Sequence, residues 1–190
     1  MSKPAVSSTE PAEKKNEPPK LDGQASSKPA SPSTAQPATA ADPKSDPDYA
    51  GCSKDDVAAC TRAINSGKYA GLDLSALYRL RAYTEQHQDK PDLNAAIADY
   101  GEAIKLAPDN FIAYILRGNL YDDKGDLELA VKDYDRVIEI KPRADFYNNR
   151  GNTLRKLGET DRALADLDQA IKLDPTYYGS YWNRGLVYQL

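Results

Sequence analysis

The sequence predicts an all-α fold, a solenoid of antiparallel helix pairs preceded by a disordered N-terminal segment. The first observation is the stretch from Phe111 to Pro142, FIAYILRGNLYDDKGDLELAVKDYDRVIEIKP. Tyr114, Gly118 and Tyr121 fall three to four residues apart, Gly125-Asp126 interrupts, and Ala130, Tyr134, Val137 and Ile138 resume the spacing. That is helical periodicity on both sides of a tight turn, and Pro142 ends it because proline cannot continue the helix. The second observation is recurrence: Tyr147, Gly151, Gly158, Ala163, Leu167, Ala170 and Pro175 repeat the pattern about 33 residues on. The third is a split in composition. Residues 1 to about 48 hold most of the prolines and almost no large apolar residue except Val6 and Leu21, too little to offset the entropy of ordering them.

The elements follow in order. Asp48 to Ser53 is the expected boundary into folded structure. Ser53-Lys-Asp-Asp56 reads as a capping box leading into a short helix that ends near Ser66-Gly67. A longer loop, Gly67 to Leu72, leads to a helix capped by Asp73 or Ser75 and running to about Gln88. The next helix spans roughly Asp92 to Leu106, and helix pairs follow at about 111–124 with 126–140 and 144–157 with 159–173. A final helix starts near Tyr177. The last helix has no second helix after it to cover its apolar face, so the protein either continues or meets a partner there.

The order aromatic, glycine, tyrosine, then alanine, aromatic and proline resembles the tetratricopeptide repeat (TPR). On that resemblance residues 49–190 form the repeat domain: a half-repeat at 53–67, repeats at about 75–108, 111–142 and 144–175, and the first helix of a further repeat at 177–190. Cys60 takes the place of Tyr100 and Tyr134, so the half-repeat is a second helix without a first and caps the stack. It also resembles that of a group of exported bacterial TPR proteins. The resemblance implies a right-handed superhelix whose first helices line the concave side.

Composition and motifs narrow the function. The formal net charge is −4 and no basic stripe stands out, which argues against nucleic acid. No apolar run reaches transmembrane length, so direct membrane insertion is not expected, and the start MSKPAVSSTEPAEKK has no apolar signal core. The chain therefore reads as cytoplasmic by default, with export as the alternative if a signal or anchor once preceded Met1. The single histidine, His87, has no partners at metal-ligand spacing, and no phosphate loop, paired-glycine dinucleotide fingerprint, CxxC or HExxH occurs. No enzyme, cofactor or metal is expected, and the acid pairs Asp122-Asp123 and Asp133-Asp135 read as solvated faces.

Three sets of residues remain. Cys52 and Cys60, placed in one helix, would stand about 12 Å apart along its axis. A disulfide therefore requires the chain before Ser53 to fold back, and otherwise Cys60 packs as a small apolar group. Arg81, Arg117, Arg150 and Arg184 stand immediately before the repeat glycine or its counterpart Ala82, where TPR units usually carry leucine, while Asp99, Asp133 and Asp166 each precede a core residue of a second helix. Charges recurring in step at semi-buried sites predict an Arg–Asp ladder that fixes register, the alternative being arginines that snorkel to solvent.

Finally, the resemblance puts Asn119, Asp122, Asn148, Asn149, Asn152, Arg155, Trp182 and Asn183, with Ile115, in the groove. Asparagine can hold an extended peptide backbone as donor and acceptor, and Arg155 can meet a carboxylate. Asn119 and Asn152 match the asparagines of the TPR clamps that grip C-terminal carboxylates, but Ile115 and Asn148 fill the lysine positions. The expected function is a non-catalytic scaffold for a protein or peptide partner. The alternative is an assembly unit, a homo-oligomer included, that associates through the uncovered C-terminal helix.

Overall fold

The computed structural model describes residues 43–54 and 56–189. The expected disordered segment up to residue 42 lies outside them. Among the described residues every regular element is helical, and the chain forms a TPR-type right-handed solenoid. A single 3-10 turn, Pro43–Ser45, leads into α1 (Pro47–Cys52), then α2 (Val57–Asn65), α3 (Gly71–Gln86) and α4 (Leu93–Leu106). Beyond these come α5 (Phe111–Lys124), α6 (Leu127–Ile140), α7 (Ala144–Lys156), α8 (Thr160–Leu173) and α9 (Tyr178–Val187).

Helices α3 and α4, α5 and α6, and α7 and α8 form hairpins, and the second helix of each hairpin packs on the first helix of the next. The same small residues recur where helices approach. Ala82 is fully buried, and a Cβ on Gly118 would stand 3.0 Å from the Tyr134 ring, while one on Gly151 would stand 3.0 Å from Leu167 Cγ. Gly125 and Gly158 end α5 and α7 at φ of 83° and 78°, the left-handed geometry that favours glycine at a helix C-terminus. Tyr100, Tyr134 and Leu167, each buried, fill equivalent places in the three second helices.

The N-terminal boundary differs from expectation in three ways. Residues 43–48, expected to belong to the tail, begin the folded structure: Asp46 accepts a hydrogen bond from the Asp48 amide at 2.9 Å and Pro47 takes the first helical position, where its missing N–H costs nothing. Ser53 is not an N-cap but ends α1, and Asp56 caps α2 by accepting from the Ala59 amide at 3.0 Å. Helix α3 begins at Gly71, before either expected cap; Asp73 sits inside its first turn and Ser75 is buried, donating to the Ala103 carbonyl at 2.8 Å. A hydroxyl that reads as a local cap thus serves a contact between α3 and α4.

Helix α1 folds back on α2, and Cys52 and Cys60 form a disulfide with their Cα atoms 4.4 Å apart. Around it Arg62 pairs with Asp48 and Lys68 with Asp46, both at 2.8 Å, and the Tyr49 and Tyr69 rings pack 5.3 Å apart. Lys68 and the Asp48 amide, both donating to Asp46, hold its carboxyl down at about 2, and burial together with Asp46 pushes the Tyr69 phenol up to about 12.

Candidate functional site

The four arginines organise the array. Arg81 Nε and Nη2 donate to Asp99 at 2.7 Å each, Arg117 to Asp133 at 2.8 and 2.7 Å, and Arg150 to Asp166 at 2.7 Å each. Each is a two-toothed pair between the first and second helix of one repeat, the geometry that a planar guanidinium suits. The third nitrogen points backwards. Arg81 Nη1 reaches Thr61 on α2 at 3.2 Å, Arg150 Nη1 reaches Asp135 on α6 at 2.6 Å, and Arg184 Nη1 reaches Asp168 on α8 at 2.6 Å. Arg117 Nη1 faces Gly101 of α4, 3.6 Å from where a Cβ would stand.

Arg81 and Arg150 therefore each tie their own hairpin to the preceding second helix, at Thr61 and Asp135, while Arg184 makes the backward contact to Asp168 and Arg117 faces Gly101 without a bond. Hydrogen bonds donated to Asp99, Asp133 and Asp166 hold Arg81, Arg117 and Arg150 charged, their pKa values raised against the opposing effect of burial. Each arginine also lies over the ring of the tyrosine three residues before it, 5.6–6.0 Å from the centroid. Asp133, which the sequence places in the ladder, pairs there with Arg117, and Asp135, read from sequence only as part of a solvated face, is a ladder partner as well.

The groove residues divide into those the fold consumes and those it leaves open. Asn148 is 7% exposed and accepts from Asn183 Nδ2 at 2.9 Å, so these two join α7 to α9. Ile115 packs against the cluster of Tyr114, Val137 and Phe146. Asp122 accepts from Thr153 Oγ1 at 2.7 Å and pairs with Lys156, tying α5 to α7. Asn119 accepts from the Tyr134 hydroxyl at 2.9 Å, and Asn152 from Arg155 Nη2 at 3.0 Å. Burial holds the Tyr134 phenol neutral well above its ordinary value, which keeps it a donor. Trp182 stands 69% exposed.

What results is a polar pocket of about 240 Å³ between α5 and α7, lined by Asn119, Asp122, Asp123, Asn149 and Asn152, with Tyr134 of α6 beneath. Asp123 and Tyr134 were not among the groove residues read from sequence; Tyr134 has core spacing, and only its hydroxyl reaches the pocket. Arg155 is turned onto Asn152, with no carboxylate partner among the described residues. His87 sets Nδ1 2.6 Å from the Tyr83 carbonyl. No group of three or more His, Cys, Asp or Glu that could hold a metal ion occurs among the described residues, and none of their helices is long and apolar enough to cross a membrane.

Stacked helical hairpins with a repeating small-residue contact define a helical-repeat solenoid. A family profile described as TPR repeat matches residues 89–125 and 151–190, and one described as tetratricopeptide repeat matches 111–143, together half of the chain. The chain belongs to the tetratricopeptide-repeat family. No curated protein sequence matches it. Solved structures similar to it include MamA, with TM-score 0.65 and 20% identity over 76% of this chain and 84% of that one. The first TPR of Spaghetti, solved with an HSP90 peptide, has TM-score 0.58 and 16% identity over 65% and 97%. YrrB, described as a TPR protein with an unusual peptide-binding site, has TM-score 0.59 and 20% identity over 68% and 64%.

Proposed function

We propose that this chain is a non-catalytic scaffold that holds an extended segment of a protein partner in the groove between its first helices. The observation that carries this reading is the pocket between α5 and α7, where Asn119, Asn149 and Asn152 bring amides together beside Asp122 and Asp123. Amides of this kind pair with both the N–H and C=O of a peptide backbone, and Asp123, exposed and without an ion pair among the described residues, favours a lysine or arginine side chain beside it. The peptide in the Spaghetti structure and the peptide-binding site described for YrrB support peptide recognition as a class. At 16–20% identity the likeness extends to the fold, so the ligand chemistry is argued from this chain's own residues. The Cys52–Cys60 bond supports an oxidising compartment, and with it the exported alternative.

The test is selection of a random peptide library on the full chain, followed by affinity measurement against Asn119→Ala and Asn152→Ala. Selected peptides enriched in lysine or arginine, and weakened about tenfold by each substitution, support the reading. Peptides that bind both variants as tightly as the unaltered chain overturn it. A second reading, assembly through the C-terminal edge, is favoured by the exposure of Tyr178, Tyr181, Trp182 and Tyr188 on and just after α9.

A further inference from the structure

The amide pocket has a neighbour on the other side of α5. A second recess of about 290 Å³ opens between α3 and α5, lined by Gln86 and His87 at the end of α3, Leu93 at the start of α4, and Leu116 and Leu120 of α5. Asn119 and Asp123 belong to both recesses. Counted from the ladder arginines, Gln86, His87, Leu116 and Asn119 stand where Asp122, Asp123, Asn149 and Asn152 stand one repeat later. One geometric position is thus built twice with different chemistry. The later recess carries amides and acids, and the earlier one is walled by leucines.

The fold fixes those walls and satisfies the polar groups among them. Leu120 is 6% exposed, and Leu93 and Leu116 pack on Ala82, Ala96 and Tyr100. Gln86 Oε1 accepts from the Tyr100 hydroxyl at 3.2 Å, while the His87 ring lies 4.4 Å from the Tyr83 ring with Nδ1 against the Tyr83 carbonyl. On the common rim, Asp122 is already paired with Lys156, which leaves Asp123 as the acid open to a ligand.

We propose that the groove selects an extended segment in which a leucine-sized apolar side chain and a lysine or arginine stand three residues apart. The apolar side chain seats against Leu93, Leu116 and Leu120, and the basic one lies over the amide pocket and meets Asp123. The spacing comes from the helix between the recesses: with its side chains an α-helix is about 10 Å across. Three residues of polyproline II chain advance about 9 Å and return the side chain to the same side. A helical ligand would need about seven residues for that span, and its internally bonded backbone would leave Asn119, Asn149 and Asn152 without peptide groups to pair. Two apolar side chains fit poorly, since the second would cover the amides and acids of the later recess without replacing their hydrogen bonds. This inference rests on the groove reading above and adds to it the apolar position and its distance from the basic one.

Dodecapeptides selected on the full chain from a random library provide the probe. The expected consensus has leucine, isoleucine or methionine at one position and lysine or arginine three positions away. Serine in place of either is expected to weaken a labelled selected peptide about tenfold by anisotropy. Leu116→Asn gives the earlier recess the side chain that the later one carries at the same step, so selection on it loses the apolar position and keeps the basic one; Asp123→Asn does the reverse. Because Leu116 also packs on the core, Leu116→Phe, which stays apolar and fills the recess, is a second variant, expected to weaken leucine-containing peptides about tenfold. A consensus with no apolar position, a separation of seven, or binding unchanged by both Leu116 variants overturns the inference, while dependence of the same peptides on Asn119 and Asn152 leaves the groove reading standing. Peptides indifferent to Asn119→Ala and Asn152→Ala, or a library that yields none, overturn both.

Discussion

Gly101 is the place to test whether the ladder stabilises the array. It lies inside α4, where Thr61, Asp135 and Asp168 occupy the same step on other second helices and Arg117 Nη1 waits without a carboxylate. A Cβ there makes only an ordinary 3.6 Å contact, so Gly101→Ala fits and gains about 1 kcal/mol from helix propensity. Gly101→Asp adds the missing carboxylate in the arrangement Asp135 already adopts two residues after Asp133, so its proximity to Asp99 has an internal precedent. The neutral reference is Gly101→Asn, equal in size and close in helix propensity. The Arg117 side chain is 21% exposed and Asp135 in the parallel pair 41%, so the gain belongs to the upper end of exposed pairs, about 1 kcal/mol. In a folded unit of this size that is about 3 °C in melting temperature. Thermal and urea unfolding of the three variants, at low salt and at about 1 M where the Debye length falls to about 3 Å, provides the measurement. Asp is expected to exceed Asn by this margin at low salt and to lose most of it at high salt. No difference between Asp and Asn, or one indifferent to salt, would show that the recurring geometry contributes little beyond packing.

Three further outcomes follow from the structure. Reduction of Cys52–Cys60, or Cys52→Ala with Cys60→Ala, is expected to cost about 2.5 kcal/mol for a loop this short, with unfolding of α1 preceding the rest by hydrogen exchange; a melting curve unchanged by reductant refutes it. The Asp46–Lys68–Tyr69 cluster gives a pH window. Asp46 folds with its pKa lowered from 3.8 to about 2, so its contribution is present above the ordinary value and lost as pH falls toward 2. Tyr69 is raised from 10.0 to about 12, so its contribution is present below 10 and lost as pH climbs toward 12. NMR titration of both side chains checks the two limits, and ordinary midpoints for both would remove the window. Gly118→Val, forced against the Tyr134 ring at 3.0 Å, is expected to lose about 2 kcal/mol or more, whereas Gly185→Val, opening on nothing within 4 Å, stays within about 0.5 kcal/mol. Equal losses in urea unfolding would mean that the α9 face is already covered in solution.

The contrast between Gly118 and Gly185 also shows why part of this molecule was legible in its sequence. Helical spacing around Tyr114, Gly118 and Tyr134 is imposed by burial, and burial selects residue types that can be counted along the chain. Arginine before each repeat glycine was legible for the same reason: a charge recurring at a semi-buried step needs a partner, and Asp99, Asp133 and Asp166 recur with it. The backward contacts to Thr61, Asp135 and Asp168 were not, because three different residue types, glycine included, occupy one geometric step, and only the direction of Arg Nη1 makes them equivalent.

The N-terminal hairpin escaped for another reason: six residues are too few to show a helical period, and Asp46, Lys68 and Tyr69 are brought together from 22 residues apart. In the groove, residue type marks Asn119 and Asn152 as amides but says nothing of their neighbours. Asn148 has the same chemistry as Asn149, yet it is buried against Asn183, because α9 crosses it there. A side chain becomes available to a ligand only after the fold has satisfied its own polar groups. At Arg184 that accounting leaves Nε and Nη2 without a hydrogen-bond partner among the described residues, whereas at Arg150 it leaves no donor nitrogen unused.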